Sequence, residues 1–289
     1  MGALTSERIS DQSTLRTAIR VFSHPVLRRS SFNLIRSAWG NFFFLQYRAV
    51  LFPHRIPVSQ VDHPLDERIP FEPKRVSVYL DFVSLWIRAL GFILRRYGDR
   101  AIEPAAALID SMGELYRYAA QVYRQNLSTT RRPRYLKNPR FIIIHLTDPH
   151  LLCVPSLHVM VVVRAYTQFR QILRTFNEED LLKPQIEELY RGALEITEAV
   201  LYVKQHSVNC VPAALYSMTR FQEEFFPPQE ARSFTQNLFR SPHDLAPGDD
   251  GRIREYISQL YGQFTEEGKT SEDWRFPILK FLDPLRRRE

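Results

Sequence analysis

The sequence predicts an all-α protein with a helical bundle at its core. Apolar residues recur at spacings of three and four in several long segments, which is the pattern of one face of an α-helix. Clusters of proline and polar residues separate these segments. Only ten glycines occur in 289 residues, which is too few to be typical of a β-sandwich or of a glycine-rich nucleotide-binding fold.

The chain divides into three predicted parts. Residues 1–74 contain a helical segment and then a linker, in which five prolines prevent a continuous helix. Residues 75–225 form the predicted bundle core, which begins with helices near Arg75–Tyr97 and Glu103–Asn126. Residues 226–289 are a mixed C-terminal segment that we expect to pack against the core.

The N-terminal helix, from Ser31 to about Leu51, is unusually apolar. Phe32, Ile35, Trp39 and Phe42 follow one another at helical spacing and therefore share one face. We expect this face to be buried, either against the rest of the protein or against a partner or membrane surface.

Two long helices are predicted near the residues that bear on function. Pro155 fits the first turn of a helix that runs to about Phe176, because proline is tolerated at that position. A second helix is predicted from about Pro184 to Cys210, where Pro212 bends or ends it. A basic loop, Ser128–Arg140, precedes both helices. It is either a solvated connection or an anion-binding loop near a site.

Charge and cysteine content limit the classes of partner and compartment. The formal net charge of +7 favours phosphate-bearing partners, but no nucleic-acid-binding motif accompanies it, so we expect no specific nucleic acid. Two cysteines do not form a disulfide framework and fit a reducing compartment. No uninterrupted apolar run reaches the length of a membrane span. We therefore expect a cytoplasmic protein, with peripheral contact to an anionic membrane left open. The N-terminal residues Met1, Gly2 and Ser6 fit the loose N-myristoylation pattern.

Two short stretches each place a histidine inside an apolar segment. The first is Cys153-Val154-Pro155-Ser156-Leu157-His158, and the second is Lys204-Gln205-His206-Ser207-Val208-Asn209-Cys210. Both cysteines of the chain lie in these stretches. A buried histidine without a partner costs a few kcal/mol, so two such histidines beside small polar residues indicate a site.

These stretches resemble two motifs of the type 2 phosphatidic acid phosphatase and haloperoxidase superfamily. Pro155-Ser156-Leu157-His158 is similar to the second motif of that superfamily, and Lys204-Gln205-His206-Ser207-Val208 is similar to its third motif. The two histidines are 48 residues apart, which fits the usual arrangement. The resemblance covers roughly residues 140–220 and implies a helical bundle of that superfamily's type.

The resemblance implies hydrolysis of a phosphomonoester or a lipid phosphate without a cofactor. His206 would attack phosphorus and form a phosphohistidine, and His158 would protonate the leaving oxygen. Ser156 and backbone N–H groups at the start of a helix would hold the phosphate oxygens. Lys204 would add a positive charge near the transferred group.

The chain departs from the superfamily pattern at three places. The aspartate that follows the nucleophile is replaced by Cys210, and the phosphate-binding Ser-Arg pair falls at Ala199-Val200. In the first motif Arg132-Pro133 matches, but Gln125 occupies the lysine position, where the neighbouring Arg124 is a substitute. These departures leave a degenerate or repurposed member as an alternative.

Two other functions remain open on the sequence alone. Cys153, His158, His206 and Cys210 form a Cys₂His₂ set, in which His206 and Cys210 would share one helix face and bind a metal. The other alternative is a non-catalytic interaction protein whose histidines are core residues. His145, Asp148 and His150 precede the first motif. They either line the site or cap a turn, and Asp148 is a candidate for the missing carboxylate.

Overall fold

The computed structural model describes residues 7–53, 55–240 and 244–286, and nearly all of its regular structure is helical, which confirms the all-α class. The N-myristoylation pattern lies outside these residues. The helices are α1 Thr14–Ser23, α2 Pro25–Ala38, α3 Phe44–Leu51, α4 Val76–Leu80, α5 Phe82–Tyr97, α6 Ile102–Tyr123, α7 Pro139–Thr147, α8 Leu157–Thr175, α9 Lys183–Tyr202, α10 Cys210–Phe221, α11 Pro228–Asn237, α12 Asp249–Lys269 and α13 Phe276–Leu282.

Helix α8 lies at the centre of the bundle and packs against α5, α6, α9 and α10. Most of its residues are buried because valine, leucine and aromatic side chains occur on nearly all sides of it. It begins and ends within two residues of the prediction from Pro155. The helices of the flanking segments pack on this core, α2 along α6 and α12 along α10.

A two-stranded parallel sheet, absent from the sequence prediction, positions the start of α8. Strand β1, Val58–Gln60, pairs with β2, Leu127–Thr129. Buried Ser128 accepts hydrogen bonds from the two residues that precede Pro155, from Cys153 N at its carbonyl (3.2 Å) and from Val154 N at its Oγ (2.7 Å). The proline-rich linker and the basic loop thus meet where the first histidine motif begins.

The N-terminal helix begins earlier than predicted, and most of its apolar face is exposed. Helix α2 starts at Pro25 and continues through a π-helical turn, Trp39–Phe43, into α3, which ends at Leu51 as expected. The sequence prediction missed α1, whose first turn is capped by the Ser13 hydroxyl. Of the two alternatives for the apolar face, burial against the protein was wrong, since Trp39 is 63% exposed, and contact with a partner or membrane surface stays a prediction.

The helix predicted from Pro184 to Cys210 is two helices with a turn between them. Helix α9 ends at Tyr202, and the N–H groups of Gln205 and His206 both donate to the Val200 carbonyl. Helix α10 restarts at Cys210, so Pro212 lies in its first turn, where a missing N–H costs no hydrogen bond. His206 therefore lies in the turn between two helices.

The C-terminal segment is more regular than the mixed structure predicted for it. Helix α12 carries Asp249 and Asp250 in its first turn, where carboxylates interact favourably with the helix dipole. Within the described residues, one helical run, Pro73–Tyr123, is long and apolar enough to cross a membrane, although a buried core helix meets the same criterion. Helix α5, which lies in this run, packs against α1 and α8.

Replacing Gly91 by alanine tests the packing of α1 on α5. A methyl group at Gly91 would lie 2.2 Å from Thr17 Oγ1, a β-branched side chain hydrogen-bonded to its own helix. We expect Gly91→Ala to lower the free energy of unfolding by about 1–3 kcal/mol. Gly262→Ala, which meets nothing within 4 Å on α12, should raise it by up to about 1 kcal/mol. Urea denaturation measures both, and two stabilised variants would contradict the packing.

Candidate functional site

The turn that carries His206 is held by the proline-rich linker. The Asp66 carboxylate accepts hydrogen bonds from Val208 N and from His63 N, both at 2.8 Å. Asn209 Nδ2 donates to the Val61 carbonyl at 3.1 Å. These contacts join segments more than a hundred residues apart in the chain and hold the residues that follow the histidine.

Lys204 also binds the proline-rich linker and does not point into the site, contrary to the prediction. Its amino group donates to the backbone carbonyls of Asp66 and Ile69. Its backbone has a positive φ of 55°, which turns the side chain away from the end of α9. Burial lowers the pKa of Lys204. The lysine therefore holds the linker and is not available to a phosphate group.

His206 makes two hydrogen bonds that together define its tautomer. Its Nδ1 lies 3.2 Å from the Cys153 carbonyl, and its Nε2 lies 3.4 Å from Ser156 Oγ. A carbonyl oxygen can only accept, so Nδ1 carries the ring proton. In the neutral ring Nε2 is then an acceptor, and the Ser156 hydroxyl donates to it.

The burial of His206 keeps the ring neutral. Its side chain is among the buried polar groups, and burial lowers its pKa to about 4, although the hydrogen bond to Cys153 acts in the opposite direction. A neutral imidazole with an unprotonated Nε2 is the form that can act as a nucleophile or a base.

His158 lies beside His206, as the two motifs imply. It is the second residue of α8, and its ring centre is 5.5 Å from that of His206 in an edge-to-face arrangement. The His158 ring also packs on Tyr79 at 4.5 Å and on Phe82 at 4.2 Å. Burial and the nearby His206 hold the pKa of His158 well below its usual value.

Ser156 connects the two motifs through its backbone as well as its hydroxyl. It is the N-cap residue of α8, and its N–H donates to the Cys210 carbonyl at 3.4 Å. The N–H groups of the first turn of α8 have no acceptor within the helix, which is the usual basis of anion binding at a helix start. Cys210 therefore contributes a backbone carbonyl that accepts from Ser156. The group that accepts from His206 Nδ1 is the carbonyl of Cys153.

The crevice between the two histidines is small. Its volume is about 20 Å³, enough for about one water molecule. It is lined by Phe42, Asp148, His150, Leu152, Cys153, Leu157, His158, Gln205 and His206. Phe42 comes from the π-helical turn between α2 and α3, and a phosphate ester can enter only if this wall moves.

Only one of the two predicted phosphate-binding arginines lies near the crevice. Arg132 donates to the Asp148 carbonyl at 2.8 Å and to Gln205 Oε1 at 3.1 Å, and both of these residues line the crevice. Arg124 lies elsewhere, in contrast to the prediction. It is exposed at the end of α6 and donates to Asn41 Oδ1 at 2.6 Å.

Asp148 and His150 line the crevice and also form a turn. Asp148 Oδ1 accepts from His150 N at 2.8 Å, and His150 Nε2 is 2.8 Å from Thr130 Oγ1. Burial raises the pKa of Asp148 and holds the pKa of His150 well below its usual value. The suggestion that Asp148 replaces the missing carboxylate was wrong, because Cys153 already accepts from His206 Nδ1. The apolar pattern included Phe42, but nothing in the sequence placed it at the crevice, because it lies far from both histidine motifs along the chain.

The Cys₂His₂ metal alternative does not fit the arrangement. Among residues 7–53, 55–240 and 244–286, no three histidine, cysteine, aspartate or glutamate side chains are grouped to hold a metal ion. His206 lies in a turn and Cys210 begins the next helix, so the two do not share a helix face. Burial also raises the pKa of both thiols, which disfavours the thiolates that a metal requires.

Comparisons with models of protein families, with curated proteins and with solved structures found no match for this chain. The assignment of a function therefore depends on the geometry of the site itself.

The lowered pKa of His206 predicts a specific loss of stability in acid. The unfolded ring, with a pKa near 6.5, takes up a proton before the folded ring, whose pKa is about 4. Stability from this group is complete above about pH 6.5 and falls as the pH approaches 4, by about 3 kcal/mol in total. His206→Gln retains a donor for Cys153 without titrating. We expect urea denaturation at pH 7 and pH 4 to show a smaller loss in this variant, and equal losses would contradict the lowered pKa.

Proposed function

We propose that this chain is a phosphohydrolase that transfers the phosphoryl group of a phosphomonoester or a lipid phosphate to His206 and then to water. One observation carries the proposal. The Cys153 carbonyl holds the ring proton on Nδ1, which leaves Nε2 as an unprotonated nitrogen beside Ser156 and His158. Resemblance of the two motifs to the phosphatidic acid phosphatase and haloperoxidase superfamily supports the same reaction.

The first half of the reaction would form a phosphohistidine. His206 Nε2 attacks phosphorus while the bond from phosphorus to the ester oxygen breaks. The leaving oxygen takes a proton from His158, whose pKa a bound phosphate dianion raises. The Nδ1 proton stays in its hydrogen bond with the Cys153 carbonyl, so the charge that develops on the ring faces a fixed dipole.

The second half would return the enzyme to its starting state. Neutral His158 takes a proton from water, and the oxygen attacks phosphorus opposite the His206 nitrogen. The phosphorus–nitrogen bond breaks, phosphate leaves, and the neutral tautomer of His206 is restored. Arg132, at the border of the crevice, is the nearest of the predicted cations to the transferred oxygens.

A carbonyl in place of a carboxylate predicts a slow enzyme. Both groups fix the histidine tautomer, but only a carboxylate neutralises the positive ring that forms during transfer. In serine proteases, where a carboxylate also supports a histidine, its loss lowers the rate about 10⁴-fold. We expect turnover in this chain to be slow for the same reason, which calls for a sensitive assay.

A non-catalytic role is the second candidate, and the size of the crevice favours it. A space of about 20 Å³ does not admit a phosphate ester unless Phe42 moves. In that role the histidines would stabilise the junction of α8, α9 and α10, and the helical surface would carry the function.

Phosphate release by matched variants distinguishes the two candidates. Wild-type protein should release phosphate from an aryl phosphate or from phosphatidic acid in detergent, and His206→Asn should lower the rate at least about 10³-fold. His158→Asn should lower it by about 10²–10⁴-fold, as expected for loss of a general acid. His24→Asn, at the junction of α1 and α2, is the control and should retain the wild-type rate.

Trapping of the intermediate provides a second readout. Protein quenched in an alkaline denaturant should carry an acid-labile phosphoryl group on His206, detectable by mass spectrometry if the sample is kept alkaline and lost after brief treatment with acid. Equal rates in wild-type and His206→Asn protein, or a phosphoryl group on Ser156 instead, would overturn the proposal. No release by folded wild-type protein with any of these substrates would favour the non-catalytic role.

A further inference from the structure

The rod formed by α2, the π-helical turn and α3 turns its apolar side away from the protein. Phe32, Ile35 and Trp39 are 59%, 53% and 63% exposed, and Val50 and Leu51 continue the row at 53% and 73%. Solvent-exposed apolar residues are normally scattered. Here they follow one another along one side of three consecutive helical segments, which we call the outer face.

Small polar residues of α2 make the contact with α6, and this contact fixes the orientation of the rod. Ser37 Oγ donates to the Gly113 carbonyl at 2.6 Å, and Ser30 Oγ donates to Asp110 Oδ2 at 2.9 Å, both on α6. A methyl group on Gly113 would lie 3.4 Å from the Leu34 backbone. This close approach leaves no room for the aromatic side chains to turn inward.

The outer face extends onto both neighbouring helices. The rings of Phe22 on α1 and Phe32 on α2 are 6.0 Å apart. At the other end, the Tyr47 hydroxyl of α3 donates to the Thr147 carbonyl of α7. Helix α7 adds Leu146, which is 76% exposed. Exposed apolar residues of α1 and α7 therefore border the outer face at its two ends.

The stretch of sequence that contains the outer face, residues 12–61, carries only positive formal charge. Residues 12–61 contain seven arginines and no lysine, aspartate or glutamate, so they carry a formal charge of +7, which equals the net charge of the whole chain. The rest of the chain is balanced. All seven arginines are exposed, so positive charge from this segment surrounds an exposed apolar face, while the neighbouring carboxylates, Asp110 and Glu114, belong to α6.

A groove at the edge of the outer face combines exposed apolar side chains with positive charge. It has a volume of about 560 Å³ and is lined by Arg48, Arg55 and Arg124 together with Phe44 and Phe52, and by no carboxylate of the described part of the chain. The Arg55 guanidinium lies over the Phe52 ring, 4.6 Å from its centre. Arginines beside aromatic rings match a phosphate headgroup and the start of its acyl chains.

We propose that the outer face docks in the interfacial layer of a bilayer that contains anionic phospholipids. The aromatic and aliphatic side chains enter the boundary between headgroups and acyl chains, and the arginines contact lipid phosphates. A second copy of the chain does not fit, because a two-fold interface would place this +7 segment against itself. The face needs a partner that is both apolar and negatively charged, and such a bilayer is both.

Vesicle binding tests this docking directly. Wild-type protein should float with vesicles of phosphatidylcholine and phosphatidylglycerol, and much less with phosphatidylcholine alone. Its tryptophan emission should shift to shorter wavelength on binding, and Trp39→Phe should bind nearly as well but lose the shift. Trp86 and Trp274 are partly buried and serve as internal references.

Paired variants separate the apolar and the charged contributions. Ile35→Asp with Trp39→Asp should weaken binding at least about tenfold through the loss of buried apolar area. Arg48→Gln with Arg55→Gln should weaken it about 30-fold, since each arginine near an anionic surface contributes about 1 kcal/mol. Leu181→Ser, an equally exposed apolar residue far along the chain at 50% exposure, is the control and should bind like wild type.

The proposal does not depend on catalysis, so His206→Asn protein should bind vesicles like wild type. Circular dichroism confirms that each variant is folded. Wild-type binding that is equal for neutral and anionic vesicles, or that Leu181→Ser weakens as much as the outer-face variants do, would overturn the proposal. A wild-type dimer that the outer-face variants convert to a monomer, without vesicle binding, would also overturn it in favour of a second copy.

Discussion

The hydrogen bond from His206 Nδ1 to the Cys153 carbonyl is the contact on which the rest of the site depends. It joins the two histidine stretches, and each side of it is fixed independently. Cys153 is held by Ser128 of the small sheet, whereas the turn of His206 is held by Asp66 of the linker. The unprotonated Nε2 beside Ser156 and the edge-to-face contact with His158 both follow from where this bond places the ring.

This hydrogen bond satisfies the buried N–H of His206 but does not neutralise a positively charged ring. A buried histidine needs a partner for its N–H, and a carbonyl supplies one without adding a buried charge. The resulting tautomer has the nitrogen that phosphoryl transfer requires. A carbonyl does not stabilise a protonated or phosphorylated ring as a carboxylate would, and burial lowers the pKa of His206 to about 4. The site is therefore built around a neutral imidazole.

The sequence predicted the features that local patterns determine and missed those that distant contacts determine. Helix α8 and the proximity of His158 to His206 followed from apolar spacing and motif order. The turn before Cys210 could not be predicted from such patterns. It is held by the Asp66 carboxylate, which accepts a hydrogen bond from the Val208 amide 142 residues away. The sequence left open whether the apolar side of α2 faces the protein or a partner or membrane surface, because Gly113 on another helix decides which side packs. The direction of the Lys204 side chain was not predicted either, because it depends on hydrogen bonds to the same linker.

The outer face and the crevice meet at the π-helical turn, where Phe42 lines the crevice and its neighbour Phe43 is exposed. Movement of this turn would therefore change both. The direct test of the account is nitrogen-15 NMR of the histidine rings at neutral pH, with His206→Gln used to assign the signal. We expect a protonated Nδ1 and an unprotonated Nε2 for His206, because the Cys153 carbonyl can only accept a hydrogen bond. A ring protonated at Nε2, or at both nitrogens, would contradict it.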